Sequence, residues 1–339
     1  MNVNCVKRNK TWRLLHVLVS VLIAAVFLTG CSTLRVDSAR NLGDAGQQTA
    51  DTIAENVFIS DATCQQAIDV QTLIFYHDVG EEPPGDLEKK FEELNSRYKA
   101  IHEELKARRL VFTQLSETYR AFSELTDNES AAETEAAIRK LGEAVNKYAE
   151  AAGKEAVLSG SAQRSLGTLG KLAVVELKKK KIKQASALIR ERISAFAKLL
   201  KDPLVKEQLL GFQADLAAIK KDGVLTLWET GILDPSPMLD QIGADIGLRA
   251  APDAALVARQ NKNLSYGLTK IIASRFENKM ALIKESYETS ISAMEELIHE
   301  HEALEKDGPL NLTRLINIAA RQQHVTKSLA PDTNKEAAK

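Results

Sequence analysis

Apolar residues recur along much of this chain at the spacing of a buried helix face. In the clearest stretch, between residues 86 and 124, the steps between them alternate between four and three. These positions are Leu87, Phe91, Leu94, Tyr98, Ile101, Leu105, Phe112, Leu115, Tyr119 and Phe122. Arg108 occupies the one seam position that is not apolar, and we expect it to set the register or face an end. A seam of this length predicts a long helix with coiled-coil-like packing against other helices of the chain.

Breaks in the pattern define the remaining elements. The predicted helices cover about 44–77, with an interruption near 60–61, then 86–125, 130–153, 163–201, 203–223, 252–304 and 312–329. Asp202 and Pro203 predict a helix start, because an acidic cap and a proline at the first position both favour one. Residues 224–252 contain most of the remaining Gly and Pro residues and predict an irregular connector. Residues 330–339 predict a disordered tail.

The composition agrees with a helical chain. Gly and Pro together number 25 of 339 residues, and no proline occurs between residues 85 and 202 or between 253 and 308. Proline removes a backbone donor and clashes with the preceding turn, so these stretches suit continuous helices. No segment shows the sustained alternation of a strand. We therefore predict an all-α protein, an elongated and mostly antiparallel helical bundle over residues 44–329.

The first thirty residues differ from the rest of the chain. A positively charged segment with no acidic residue precedes an apolar run over 14–27, which is too short for a stable membrane-spanning helix. Its cations are Lys7, Arg8, Lys10 and Arg13. A positive segment followed by a short apolar run is typical of a secretion signal. Residues 1–30 are therefore predicted to be a signal peptide.

The signal ends in Leu28-Thr29-Gly30-Cys31, which resembles the lipobox of bacterial lipoproteins. The resemblance implies cleavage between Gly30 and Cys31 and acylation of Cys31, followed by a tether up to residue 43. Two or three acyl chains on one residue give durable membrane attachment. Ser32 follows Cys31, where an Asp would resemble an inner-membrane retention signal. The expected location is therefore the outer membrane with the body in the periplasm, or the cell membrane where no outer membrane exists.

Charge and cysteine content limit the remaining functions. Cleavage would leave 309 residues with 41 basic and 46 acidic side chains, a net charge near −5. A mildly acidic body argues against nucleic acid as a partner. Cys64 would be the only free thiol, which predicts no intramolecular disulfide. We expect Cys64 to be a small buried helix residue, with an intermolecular bridge as the alternative.

Two motifs suggest chemistry but do not match the pattern that it requires. Glu296 and His299 have the spacing of one di-iron half-site, yet a complete site needs two such pairs. The apolar stripe of that helix also predicts that Glu296 faces solvent. The glycines near Lys171 lack the spacing and the following Ser or Thr of a phosphate loop. We therefore expect no metal, cofactor or nucleotide, and a metal-binding bundle remains an alternative.

The strongest local charge is a run of lysines within a predicted helix: Lys178, Lys179, Lys180, Lys181 and Lys183. It predicts either a solvated helix face or a contact for anionic headgroups or an acidic partner. The preceding segment, 157–181, is too charged to span a membrane, but it suggests a membrane-active bundle as a second alternative. The leading prediction is a membrane-anchored, non-enzymatic scaffold or interaction module with an envelope protein partner.

Overall fold

The computed structural model describes residues 5–78, 84–126, 131–158, 175–244, 248–249 and 251–329, with the backbone alone for 5–35 and a few later positions. Within these ranges every regular element is an α-helix, and no strand occurs. The prediction of an all-α protein is confirmed. The helices are α1 (Cys5–Asp78), α2 (Pro84–Glu124), α3 (Ala131–Ala151), α4 (Val175–Lys201), α5 (Pro203–Glu229), α6 (Ser236–Ala244), α7 (Ala254–Gln260), α8 (Lys262–Glu305) and α9 (Thr313–Leu329).

Helices α1 and α2 form an antiparallel pair. As the residue number rises along α1, the number of its partner in α2 or just after it falls. The pairs are Arg40 with Thr126, Asp44 with Ser123, Asp61 with His102, and Phe75 with Phe91. The helices approach closely where Gly46 lies against the ring of Tyr119. A side chain at residue 46 would occupy the space of that ring.

The main hydrophobic core lies among α1, α2, α3, α4, α8 and the start of α5, with contributions from α9. The predicted heptad seam of α2 is confirmed from Ile101 onward, where all its apolar positions are buried. Phe91 is half-buried beside Phe75. The side chains of Leu87, Leu94 and Tyr98 lie outside the described residues.

The first helix differs from its predicted bounds. Helix α1 is continuous through residues 60–61, where Ser60 Oγ donates to the carbonyl oxygen of Asn56. Ala39 and Leu42 are fully buried in this helix. Residues 36–43, which lie within the predicted tether, are therefore helical and contribute to the core.

The region 224–252 is more regular than predicted. Helix α5 continues past Gly223 to Glu229, and α6 occupies much of the remainder. A Cβ at Gly223 would lie 2.3 Å from Ile74 Cδ1, so this glycine allows a close approach of α1 and does not end the helix. Trp228 is buried against Ala258 and Leu268 in a small separate core.

The long helix predicted over 252–304 is divided at Asn261 into α7 and α8. The Asn261 side chain accepts hydrogen bonds from the amides of Asn263 and Leu264, and so caps the start of α8. The predicted cap at Asp202 is confirmed, because its side chain accepts from the amides of Leu204 and Val205. Most of the segment 157–181 and the whole tail 330–339 lie outside the described residues.

Candidate functional site

The predicted lipidation site lies at the edge of the described part of the chain. Gly30 and Cys31 fall within α1, but their side chains are outside the described residues. Val36 is the first described side chain, and it packs against the core. Ala39 is already fully buried. The packed body therefore begins within a few residues of Cys31.

The predicted lysine run lies at the start of α4, and its members differ in environment. Lys181 is buried, and Lys183 Nζ lies 2.6 Å from Asp307 Oδ1 at the end of α8. Lys180 is exposed, whereas Lys178 and Lys179 are half-buried. The five lysines therefore do not share one exposed face.

The lysine run is next to Arg40, near the middle of α1. Lys178 lies close enough to Arg40 for their positive charges to interact. The pKa of Lys178 is lowered first by partial burial and second by Arg40. Arg40 Nε donates to Thr126 Oγ1 at 3.2 Å, so the end of α2 lies there as well. This end of the bundle is called the anchor end below. It is formed by α1 around Arg40, the start of α4, and the ends of α2 and α8.

The Glu296–His299 pair is not arranged as the sequence predicted. The prediction that Glu296 faces solvent is wrong, because its side chain is 13% exposed and its carboxylate lies 3.6 Å from the Arg314 guanidinium. His299, in contrast, is exposed. Among the described residues, no group of three or more His, Cys, Asp or Glu side chains is arranged to hold a metal ion.

A different histidine of the same segment is central to the core. His301 is fully buried, with Nδ1 2.8 Å from Ser186 Oγ and Nε2 3.0 Å from the Tyr119 hydroxyl. Burial, and to a smaller extent the charge of Arg190, lowers the pKa of His301 to about 3. A neutral imidazole has one donor and one acceptor, which matches two hydroxyl partners. Because Ser186 is also fully buried, this cluster joins α2, α4 and α8 without access for a substrate.

The sequence contains a pattern that places His301 in the core, although the apolar stripe used to predict the orientation of this helix does not include it. Met294, Leu297, His301 and Leu304 are separated by three, four and three residues, and all four are buried. These steps continue a heptad seam, so His301 occupies a core position. The stripe through Ile291, Met294 and Ile298 instead predicted that Glu296 faces solvent, and it did not include His301.

A second buried polar cluster surrounds Arg108 on the seam of α2. Its guanidinium carbon lies 4.5 Å from the centre of the Tyr287 ring, and Arg108 is 4% exposed. Glu104, one turn earlier, accepts a hydrogen bond from the Tyr148 hydroxyl at 3.3 Å. Burial raises the pKa of Glu104 to about 7, while Arg108 and the bond from Tyr148 oppose that rise. Arg108 thus lies within the core and not at an end.

Cys64 lies beside a narrow cavity between α1, α5 and α8. Gln213, Lys220, Phe276 and Lys279 also line it, and the space open to water is about 20 Å³. That is room for about one water molecule. Burial, with a smaller effect of Asp61, raises the pKa of the Cys64 thiol to about 12, so the thiol is protonated and unreactive at neutral pH.

Compared with known protein families, with curated proteins and with solved structures, the chain has no significant match. Among the residues that the structure describes, no helix combines the length and apolar character needed to cross a membrane.

Proposed function

We propose that the chain is a lipid-anchored helical protein of the bacterial cell envelope, where it acts as a non-enzymatic scaffold or interaction module. The observation that carries the proposal is the N-terminal sequence, in which a basic segment and a short apolar run end at Leu28-Thr29-Gly30-Cys31. Acylated Cys31 would hold the protein in the outer membrane, with Ser32 favouring that location. The helical body would face the periplasm.

The closeness of the packed body to Cys31 supports a role for the anchor in positioning it. Ala39 follows Cys31 by eight residues, which is roughly 12 Å along a helix. The acyl chains would therefore hold the anchor end against the membrane surface. Helix α8 has 44 residues and a length of about 66 Å. An elongated bundle of such helices would present its opposite end far from the membrane.

Exposed apolar side chains support an interaction role for that opposite end. Several concentrate between residues 232 and 271: Ile232, Ile242, Leu248, Leu256, Val257, Leu264, Tyr266 and Ile271. Leu248 is 61% exposed and Tyr266 is 64% exposed. Exposed apolar side chains that adjoin one another are characteristic of surfaces that bind other proteins. We refer to these eight residues as the distal patch and propose it as the contact for an envelope protein.

Affinity purification at native abundance tests the proposal. A tagged chain is recovered from detergent-solubilised membranes and compared with a variant carrying Leu248→Asp and Tyr266→Asp. Ile316→Asp, at another exposed apolar position, is the matched control. We expect an envelope protein to co-purify with the wild type and the control but not with the patch variant. Recovery of the wild-type chain alone would contradict the interaction role.

A further inference from the structure

Helices α3 and α4 lie side by side and run in the same direction. The centre of the Tyr148 ring lies 5.3 Å from that of Phe196. A Cβ at Gly142, earlier in α3, would lie 3.3 Å from Nε of Arg192, which is earlier in α4. The residue numbers therefore rise together along the two helices. Parallel neighbours need a long crossover connection, so the chain that follows α3 must return along the bundle to the start of α4.

The described residues include the beginning of this return. Lys154 Nζ lies 2.9 Å from Asp202 Oδ2, just beyond the end of α4. Four residues later, Leu158 Cδ1 would lie 3.7 Å from a Cβ at Gly142. Gly142 lies beside Arg192, which precedes Asp202 by ten residues. By residue 158 the chain has therefore turned back along α4.

Asn146 of α3 holds the returning chain by its backbone. Its Nδ2 donates to the Leu158 carbonyl oxygen at 2.9 Å, and its Oδ1 accepts from the Leu158 amide at 3.0 Å. A side chain that pairs with both backbone groups of one residue binds the main chain, whatever side chain that residue carries. These two hydrogen bonds fix the point from which residues 159–174, which lie outside the described residues, continue.

A groove extends along α4 from this point. Its volume is about 660 Å³, which is within the size range of ligand-binding clefts. Leu158 lines it together with α4, where the small side chains of Ala187, Ser194 and Ala195 leave space. Ala187 lies five residues nearer the start of α4 than Arg192. The groove therefore extends in the direction in which the chain must continue.

The chain length allows residues 159–174 to follow this groove. They lead from Leu158 to Val175, and Val175 precedes Arg192 by seventeen residues, or roughly 26 Å of helix. Sixteen residues can reach up to about 55 Å, so the path along α4 imposes no strain. The segment contains no acidic residue. Its largest apolar residues are Leu166, Leu169 and Leu172.

We propose that the groove along α4 is a binding site for a chain segment and that residues 159–174 of this protein occupy it. Asn146 begins the contact, and the leucines of the segment cover the small side chains of α4, because burial of leucine on the body is favourable. This inference does not depend on the lipid anchor. A segment bound to the body is not free to insert into a membrane, so the contact opposes a membrane-active role for 157–181.

Limited trypsin digestion of the full chain in mild detergent tests the site, because Arg164 and Lys171 lie in the segment. Mass spectrometry measures the cleavage rates there and in a synthetic peptide of residues 155–177. Ala187→Trp fills the groove, and Ala214→Trp, at an exposed position of α5, is the matched control. We expect wild type and control to be cut at least about tenfold more slowly than the peptide, because bound chain is cleaved only when it opens. Ala187→Trp should remove most of this protection.

Cleavage within α4 identifies a variant that has unfolded as a whole. If Ala187→Trp is cut there, Ala187→Met, which adds less volume, replaces it, and we expect faster cleavage at Arg164 and Lys171 while α4 stays intact. Wild-type cleavage as fast as that of the peptide would overturn the proposal, because the segment would not be bound. Full protection in the folded Ala187 variant would also overturn it, because the segment would then be bound elsewhere.

Discussion

The hydroxyl of Tyr119 lies 3.0 Å from Nε2 of His301, and both side chains are fully buried. The rings also stack, with centroids 5.7 Å apart. Tyr119 belongs to the seam of α2 and His301 to that of α8, so one polar contact joins these two seams. On the other side of Tyr119, Gly46 leaves room for the ring. The contact thus links three helices.

The His301 site predicts a specific pH dependence of stability. The unfolded imidazole binds a proton below about pH 6.5, whereas the folded one stays neutral down to about pH 3. The contribution of His301 to the free energy of unfolding is therefore fully present above about pH 6.5. As the pH falls from there to about 3, the free energy of unfolding decreases by up to about 1.4 kcal/mol per pH unit. Urea unfolding of His301→Gln should lack this component. The exposed His299→Gln variant should keep it, and identical pH profiles for wild type and His301→Gln would contradict a neutral buried imidazole.

The Glu104 site predicts the opposite pH dependence, in which the free energy of unfolding decreases as the pH rises. Its pKa is raised to about 7 in the fold from an ordinary value of 4.5, so the folded state binds the extra proton. The stability that this provides is present below about pH 4.5 and is lost as the pH rises through about 7. Relative to wild type, Glu104→Gln should gain on the order of 3 kcal/mol between about pH 5 and pH 8. Unfolding measurements should show no such gain for the neighbouring exposed Glu103→Gln.

Gly46 predicts a packing limit between α1 and α2. A Cβ there would lie 2.5 Å from Cδ1 of Tyr119, and the ring cannot move without leaving His301. We expect Gly46→Ala to lower the free energy of unfolding by about 1–3 kcal/mol. Gly267→Ala, in α8 with open space around it, should instead raise it by about 0.5–1 kcal/mol. Equal effects in denaturant unfolding would contradict the close approach at Gly46.

A buried polar contact predicts coupling between α1 and α9. The Asn56 side chain donates to the side chain and carbonyl oxygens of Gln322, and Gln322 Nε2 donates to the Ser286 carbonyl oxygen at 2.9 Å. Either Asn56→Ala or Gln322→Ala leaves a buried partner unsatisfied and should cost about 1–3 kcal/mol. The double variant should cost less than the sum, as a double-mutant cycle would show. Additive losses would mean that the two side chains contribute independently.

The periodic part of the fold could be predicted from sequence, because a helix with one buried face carries its own pattern. The seam from Ile101 to Phe122 and the cap at Asp202 are examples. Gly223 shows where this reasoning failed, since glycine both ends helices and lets them approach. Only the presence of Ile74 opposite it distinguishes the two roles, and a contact between residues so distant in sequence has no local signal.

The candidate site likewise has features that a local sequence pattern predicts and features that depend on contacts between distant residues. The lysine run was visible as a charge pattern, but its differing burial depends on α8 and on Asp307. The proximity of Arg40 to Lys178 joins residues more than a hundred positions apart. His301 was hidden because polar residues at seam positions do not follow the apolar pattern, and its hydroxyl partners come from two other helices.

The central claim is that Cys31 carries the lipid anchor, and labelled palmitate incorporation in a bacterial host tests it most directly. Wild type, Cys31→Ala and Cys64→Ala are compared, the last because Cys64 is the buried thiol of the body. The account predicts label in wild type and Cys64→Ala, and none in Cys31→Ala, which should also retain the uncleaved signal. Label that persists in Cys31→Ala, or its absence from the wild type, would contradict the account.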